Sequence, residues 1–464
     1  MRKNLGTAIP LCWLLMQAVW LIAGAQENPP VVLEEKPAVG DVFRVSCRAT
    51  LHGTLRLPPD KPAGQPSGTD AARSSPGSLR SPLPASKGQT VVFTGSTAID
   101  YTERILEVAF NGEVRRTIRV YDRLDFRRRL GEQEQSSELR PAARRMVLVR
   151  AGHLEVPFSP DGPLTWSEID RVRTDVFTPA LAGLLPGRAV PIGEKWQASH
   201  AAVQELTDLE KISDGNITCR LERIVEREGR RLAQISLSGT VSGLSEDGPS
   251  RQQLSGLIYF DLTQRRIVYL SLEGKQWLLD SEGQAVSELQ GQFVLTRQQV
   301  SAMPLLSDAA LRDLKLVPDE ENTRLLFAEK GVSFVYPRRW TVRRADPQQI
   351  VLDERNGGTV LITLDPPAQA VPAAVYQQQV ERWLAQEQAT VHRRSSIERL
   401  PMPTATCEHF QYEVTLRGER LVLDYYAIRQ AGGGATVAGR VPDSQRALLA
   451  DLAVIARSLR RGEP

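Results

Sequence analysis

The chain has 464 residues, of which 41% are hydrophobic and 24% are charged, and its formal net charge at pH 7 is +3. These proportions are ordinary for a soluble globular chain, and the length predicts two to four domains at ~100–200 residues each. Acidic and basic residues are interleaved along the chain, so the composition does not indicate nucleic acid or another polyanion as a partner.

The N-terminus has the pattern of a cleavable secretory signal over residues 1–25. Arg2 and Lys3 form a positive n-region, residues 8–22 form an apolar h-region, and Ala23-Gly24-Ala25 supplies a small-residue cleavage site. The apolar run is shorter than the ~20 residues that a membrane-spanning helix needs. We therefore expect a secreted or periplasmic protein with no membrane span after cleavage. A retained signal-anchor is the alternative.

Three cysteines, Cys47, Cys219 and Cys407, remain after that cleavage, in a compartment that permits disulfides. Cys47 and Cys219 both lie in strand-like runs of the first domain, so a bridge between them is one alternative. Three buried, reduced cysteines are the other. No Cys-x-x-Cys occurs, so a thioredoxin-type redox centre is not supported.

An antiparallel β-rich domain is predicted over residues 39–300, after a short linker at 26–38. Strand-like alternation begins at Asp41, breaks off in the Pro- and Gly-rich residues 58–88, and resumes at Thr90. No apolar face is available to order residues 58–88. We therefore predict a disordered insertion in an elongated hairpin, which costs the fold little because loop closure depends only weakly on length.

The next segment, Val114–Leu130, is interpreted as a helix. Val114, Ile118 and Tyr121 fall roughly on one helical face, and seven arginines cover the rest of the surface. Asp122 and Asp125 dilute that positive charge, so we expect the arginines to form a solvated helix face rather than a binding site.

The middle of the chain combines short helices with long strands. A strand is predicted at 145–149 and helices at 166–173 and 179–185, and five antiparallel strands follow between Ile217 and Arg297. These strands alternate apolar and polar residues, so one sheet face is buried and the other is wet. Such a sheet is expected to be curved, like a half-barrel, and to surround its own helices or an apolar ligand. Residues 301–324 form a polar connector.

The last domain is predicted over residues 325–464. Strands precede a helix at 372–388, further strands follow, and a helix at 443–459 closes the chain. The first of these helices is expected to bury Val375, Val380, Trp383 and Leu384. Meandering strands with one crossover helix and one C-terminal helix predict an α+β sandwich, and the fold class of the whole chain is α+β.

One segment of this domain carries a resemblance to a known family. The sequence Gly331-Val332-Ser333-Phe334-Val335-Tyr336-Pro337-Arg338-Arg339-Trp340 resembles the G-x-x-[FY]-x-Y-P-x-x-W entry of PsbP-like domains. The resemblance implies an α/β/α sandwich with an antiparallel sheet and an accessory, assembly or adhesion role without catalysis. No cofactor ligands can be carried over. More loosely, the sheet pattern of the first domain looks like the half-barrel of LolA-like lipoprotein carriers, which is an analogy of fold.

Few residues in the sequence are candidates for a catalytic or metal-binding site. Glu168, Asp170 and Asp175 are the best candidates for an acid pair, but the arginines between them are typical of a surface ion-pair lattice. The five histidines have no metal-ligand spacing. In Cys407-Glu408-His409, Glu408 would face away from the other two on a strand, so a core cysteine beside a surface histidine is expected.

The sequence therefore predicts no catalytic residue, no metal ligand and no cofactor. The leading hypothesis is an exported, non-catalytic protein of the cell envelope that acts by binding a protein or lipid, without nucleic acid. One alternative is a lipid or lipoprotein carrier that uses the concave face of the first sheet and needs an unfilled apolar cavity there. The other is a hydrolase with an acid pair near Glu168 and Asp175.

Overall fold

The computed structural model describes residues 29–56, 90–137, 139–151, 154–301 and 303–462. The expected signal peptide at 1–25 and the expected insertion at 58–88 lie outside these residues. Part of the expected linker at 26–38 is a strand, because Val31–Leu33 pairs with Arg188–Val190. In the described part of the chain, no helix has the length and apolar character needed to cross a membrane.

Strands dominate the described residues. In chain order they are β1 (Val31–Leu33), β2 (Val42–Arg56), β3 (Thr90–Val108), β4 (Val114–Leu130), β5 (Gln133–Ser137), β6 (Arg145–Ala151), β7 (Leu154–Phe158), β8 (Leu164–Thr165), β9 (Arg188–Val190), β10 (Lys195–Gln197), β11 (Lys211–Arg227), β12 (Arg230–Ser245), β13 (Gly248–Asp261), β14 (Arg266–Leu279), β15 (Ala285–Gln299), β16 (Leu325–Glu329), β17 (Val332–Tyr336), β18 (Trp340–Ala345), β19 (Gln349–Glu354), β20 (Thr359–Asp365), β21 (Thr390–Arg394), β22 (Glu398–Leu400), β23 (Ala405–Leu416), β24 (Glu419–Gln430), β25 (Gly433–Pro442) and β26 (Arg460–Arg461).

The helices are short by comparison. They are α1 (Trp166–Arg173), α2 (His200–Thr207), α3 (Asp308–Leu311), α4 (Ala373–Gln386) and α5 (Leu449–Ser458), with 3-10 turns at Pro141–Ala143, Thr178–Leu184, Pro304–Leu306, Pro367–Gln369 and Asp443–Leu448. Open, mostly antiparallel sheets with few helices agree with the α+β class expected from the sequence.

The largest sheet has two consecutive meanders joined side by side. Its strand order is β10-β11-β12-β13-β14-β15-β2-β3-β4-β6-β7, and β5 also pairs with β4. All of these pairings are antiparallel, as predicted for the strands between 217 and 297. The arrangement brings β2 beside β15, so that the early strands extend the later meander into one wide surface.

One face of this sheet is apolar and covered. Residues Ile169 and Val172 of α1, Leu181 of the 3-10 turn and Val203 of α2 are all at most 1% exposed and belong to the same core cluster as the inward side chains of the strands. Helix α1 has the bounds predicted from the sequence, and the second predicted helix is the 3-10 turn Thr178–Leu184.

The expected helix over Val114–Leu130 is wrong, because this segment is β4 and pairs with β3 along its length. Both faces of β4 are buried between Thr117 and Tyr121, so this part lacks the alternation of a half-exposed strand. One side faces the interior. On the other side, Ile118 and Val120 pack against Leu306 and Leu311 of the connector.

The last part of the chain contains a second sheet of eight strands, in the order β18-β19-β20-β25-β24-β23-β21 with β22 paired to β23. Helix α4 buries Val380 and Leu384 as predicted, but Val375 and Trp383 are 45% and 38% exposed. The prediction for the inner face of this helix is therefore wrong for two of its four residues. A small sheet with the order β26-β17-β16-β8 links this part to the first, because β16 pairs with β8 in parallel.

The remaining cysteines, Cys47, Cys219 and Cys407, are all free and buried. Burial raises the pKa of the Cys219 thiol to about 12 and that of the Cys407 thiol to about 11. The disulfide alternative for Cys47 and Cys219 is therefore not formed in this structure.

Candidate functional site

The first acid candidate, Glu168, caps its own helix. Its carboxylate accepts hydrogen bonds from the Thr165 backbone N–H at 2.8 Å and from Arg140 Nε and Nη2 at 2.8 and 2.6 Å. The Thr165 hydroxyl accepts in turn from the Glu168 N–H, which completes a capping box. Burial opposes ionisation, but the bonds from Arg140 and Thr165 prevail and lower the pKa of Glu168. Its acceptor sites are therefore used for structure.

The second acid candidate, Asp175, lies in a buried cluster of charges on the apolar side of the large sheet. Arg119 of β4 donates from Nε to Glu103 at 2.6 Å and from Nη1 to Asp175 at 2.8 Å. Thr178 also donates to Glu103, at 3.1 Å, and the Arg119 guanidinium lies 4.4 Å from the centre of the Tyr101 ring. The cluster fixes the segment that carries Asp175 to strands β3 and β4.

In this cluster the carboxylates of Glu103 and Asp175 share the guanidinium of Arg119, and this sharing affects the pKa of Asp175. Burial, and the charge of Glu103 competing for Arg119, raise the pKa of Asp175 to about 7 in spite of the attraction by Arg119. Glu168 and Asp175 are thus held by different arginines, and neither side chain is presented to solvent.

The Cys407-Glu408-His409 segment lies on β23 as the sequence predicted. Glu408 contacts Arg429 at 3.2 Å, whereas His409 faces the other side and its Nε2 lies 2.7 Å from Asp424 Oδ1. The His409 ring also packs on Tyr426, with 4.5 Å between ring centres. His409 is therefore partly buried rather than a surface residue. No group of three or more metal-ligating side chains occurs among the described residues.

The polar face of the large sheet carries two parallel rows of side chains that run across the strands. Each row takes one residue from each of seven neighbouring strands, β12-β13-β14-β15-β2-β3-β4, and the partners are fixed by the sheet register. The first row is Ser238, Ser255, Glu273, Gln292, Thr50, Ser96 and Arg127, and the second is Thr240, Gln253, Lys275, Gln290, His52, Thr94 and Arg129.

A cavity of about 710 Å³ lies over these rows between β12 and β2. Its lining consists of the ten row residues on these five strands together with the residues that lie between the rows, Gly239, Leu254, Gly274 and Gly291. We call this cavity the transverse groove. It is lined mainly by hydroxyl, amide and charged groups, in contrast to the apolar face on the other side of the sheet.

Glycines lie between the two rows where neighbouring atoms leave no room for a Cβ. A Cβ on Gly239 would lie 2.1 Å from the Asn216 carbonyl oxygen, and one on Gly274 would lie 2.6 Å from a Leu254 methyl group. Only glycine tolerates such close approach without a shift of its neighbours. At these glycines, the neighbouring backbone or side-chain atoms therefore lie closer than a Cβ would permit.

A second cavity of about 360 Å³ continues the groove, because both include Thr50. It is lined by Arg48, Arg123 and Arg127 with Asp125 and small residues of β2 and β3. Arg48 bonds to both oxygens of Asp100 at 3.0 and 2.8 Å, and Arg123 Nε bonds to Asp125 at 2.6 Å. Arg127 has no ion pair with any residue that the structure describes. This end of the groove is therefore basic.

Comparison with known proteins does not assign this chain to a family. No protein-family model and no curated protein matches this chain. Cyanobacterial PsbP from Synechocystis is 14% identical with a TM-score of 0.24, covering 30% of this chain and 92% of that chain. The Ran-binding protein Mog1p of Saccharomyces cerevisiae is 9% identical with a TM-score of 0.22, covering 30% and 96%. OprB of Pseudomonas putida is 8% identical with a TM-score of 0.13, covering 86% and 93%.

The likeness to PsbP expected from the sequence is thus found weakly and over a minor part of the chain. TM-scores this low assign neither a fold nor a function. The transverse groove was not foreseen, although Gly239 and Gly274, near the middle of two predicted strands, and Gly291, at the start of another, were a usable signal.

Proposed function

We propose that this chain is an exported, non-catalytic protein of the cell envelope that binds its ligand in the transverse groove. Export is supported by the signal pattern of residues 1–25. The observation that carries the binding proposal is the groove itself, a cavity of about 710 Å³ on a sheet face whose polar groups are largely unpaired. Ligands bind in clefts where placed polar groups fix their orientation, and the predominantly polar lining of this groove suits a polar ligand.

The polar groups of the groove are available to a ligand. Gln292 donates weakly to Glu273 at 3.4 Å, and Gln290 donates to Glu288 at 3.1 Å. The other groove side chains, including Lys275 and His52, have no hydrogen bond or ion pair within the described ranges of the chain. A ligand would therefore replace water and not existing protein contacts, which lowers the cost of binding.

The carrier alternative places a lipid on the apolar face of the same sheet. That face is occupied by α1, α2 and the 3-10 turn, whose side chains Ile169, Leu181 and Val203 are packed in the core. An acyl chain would have to displace these elements. The polar groove requires no such rearrangement, and this favours a polar ligand over a lipid.

The hydrolase alternative needs Glu168 and Asp175 to act together on a substrate. Both carboxylates are engaged by arginines and buried, as described above. We therefore favour binding without catalysis. In this proposal the first sheet is a half-barrel that presents the groove, and the last domain, over residues 325–464, is a PsbP-like sandwich with an accessory role.

The test is co-sedimentation of the purified mature protein with cell-envelope fragments from its native host. Gln253→Trp places a large side chain in the middle of the groove, on a strand that tolerates aromatic residues. Glu282→Trp makes the same change at an exposed hairpin turn and is the matched control. We expect Gln253→Trp to abolish sedimentation and Glu282→Trp to leave it unchanged. Equal sedimentation of both variants would contradict the proposal.

A further inference from the structure

We propose that the ligand of the transverse groove is a linear glycan that carries acidic groups, bound across the strands with an acidic group at Arg127. This inference rests on the proposed function, because it names the ligand of the same groove. It is carried by the chemistry of the groove floor and by the distribution of charge along it.

The floor offers side-chain groups and not backbone groups. The N–H and C=O groups of β12 to β15 and β2 face their neighbours in continuous antiparallel ladders, so a peptide strand finds no free edge in the groove. What remains are hydroxyls such as Ser238 and Thr240 and the amide of Gln253. These groups both donate and accept hydrogen bonds, which is also the property of the hydroxyls of a sugar chain.

The charge along the groove changes from neutral to basic. Glu273 and Lys275 lie in adjacent rows of β14 and offset each other. At the β4 end, Arg127 and Arg129 close the two rows, with Arg48 beside them. Arg129 pairs with Glu134 and Arg48 with Asp100, so the guanidinium that remains for a ligand is that of Arg127. A guanidinium binds a carboxylate, sulfate or phosphate through two parallel hydrogen bonds. The ligand is therefore expected to be mostly neutral and to carry an acidic group where it meets these arginines.

The shape of the site favours a chain over a small molecule. The two rows cross seven strands, and six spacings of ~4.8 Å give a length of roughly 29 Å. An aromatic side chain flanks the second row, because Trp277 follows Lys275 on the same face of β14 and its ring lies 5.0 Å from the Arg251 guanidinium. Trp277 provides an apolar edge against which the ring of a sugar can pack.

The experiment measures binding of defined probes by isothermal titration calorimetry. The acidic probes are an oligogalacturonate and a dextran sulfate of similar length. The matched neutral probe is the methyl ester of the same oligogalacturonate, which keeps the sugar and removes the charge. Poly-glutamate is the acidic peptide. We expect the wild-type protein to bind at least one acidic glycan, to bind the methyl ester about 10- to 100-fold more weakly, and to bind poly-glutamate no better than the ester.

Variants locate the site. Arg127→Gln should weaken binding of the acidic glycan about 10-fold or more and reduce its salt dependence, whereas Arg382→Gln on the exposed surface of α4 should not change it. Binding of neither acidic glycan, equal binding of poly-glutamate, or an unaffected Arg127→Gln variant would overturn the inference. The envelope sedimentation of Gln253→Trp separates the two failures. If that variant still loses sedimentation, the proposed function stands and only the ligand class is wrong.

Discussion

Replacing Gly239 by alanine tests whether the close approach of β11 and β12 beside the transverse groove depends on glycine. Gly239 lies on β12 opposite Ile217 of β11, and an added Cβ would be 2.1 Å from the Asn216 carbonyl oxygen, where ordinary contact begins at 3.4 Å. The obstacle is backbone and not the end of a flexible side chain. The two strands must therefore separate locally by more than ~1 Å.

The expected cost follows from what this separation breaks. Opening β11 from β12 lengthens the neighbouring ladder hydrogen bonds beyond useful range, and losing two of them costs about 1–3 kcal/mol. Residual steric strain in a packed region adds about 1–3 kcal/mol. We expect Gly239→Ala to lower the free energy of unfolding by about 2–5 kcal/mol and to weaken ligand binding in the groove.

Urea denaturation followed by tryptophan fluorescence measures this change. Gly95→Ala is the matched control, because Gly95 of β3, opposite Leu51, also lies between the two rows. Its added Cβ would meet only the Phe93 ring at 3.3 Å and the Leu51 Cβ at 3.7 Å, which is ordinary contact. We expect the control to cost less than ~1 kcal/mol. A Gly239→Ala protein as stable as wild type, or equal losses in both variants, would refute the close-approach argument.

Three further predictions concern stability and reactivity. The pKa of Asp175 is about 7, whereas an unfolded Asp titrates near ~3.9, so protonated Asp175 stabilises the fold fully below pH ~3.9 and this contribution is lost as pH rises through 7. Asp175→Asn should therefore flatten the fall in the free energy of unfolding between pH 5 and 8. An unchanged slope would contradict this prediction. Trp340→Ala should cost ~3–5 kcal/mol, since this side chain is 1% exposed, whereas Trp383→Ala should cost less than ~1 kcal/mol in the same thermal melts; equal costs would contradict the burial. At pH 8 a thiol reagent should leave Cys219 and Cys407 unmodified until urea is added, and rapid modification in the native protein would contradict their burial and raised pKa values.

The parts of the fold in which apolar and polar residues alternate at a regular period were predictable from the sequence. Strands β11 to β15 alternate with one wet face, and turn residues separate them, so their order and pairing followed from local rules. Helix α1 was predictable because Thr165 and Glu168 form a capping box and Ile169 and Val172 mark its buried face. In these elements, local preference and tertiary packing agree.

Strand β4 shows where this reasoning fails. Its middle is buried on both faces, by the interior on one side and by Leu306 and Leu311 of the connector on the other, and the connector is distant in sequence. Interpreted as a helix, the segment was expected to place its arginines on one solvated face, diluted by Asp122 and Asp125. As a strand it separates its arginines, with Arg119 in the buried cluster and Arg127 at the end of the groove.

The face of α4 was misjudged for a related reason. Trp383 and Leu384 are adjacent in the sequence, and hydrophobicity alone placed both in the core, whereas the sheet covers Leu384 and leaves Trp383 38% exposed. The glycines mark the strands of the groove, but the sequence could not show that these strands lie side by side. The residues of the groove come from strands up to about 240 positions apart, and only the register that places β2 beside β15 brings them into line.

Hydroxyl-radical footprinting with and without bound ligand tests the central claim, that the ligand lies in the transverse groove. It reports the solvent exposure of reactive side chains in the intact protein at each position. With oligogalacturonate bound, our account predicts protection of His52 and Trp277, which line and flank the groove, and no change at His200 or Trp383, which are exposed elsewhere. Protection of Trp383 or His200 without protection of His52 would contradict the account.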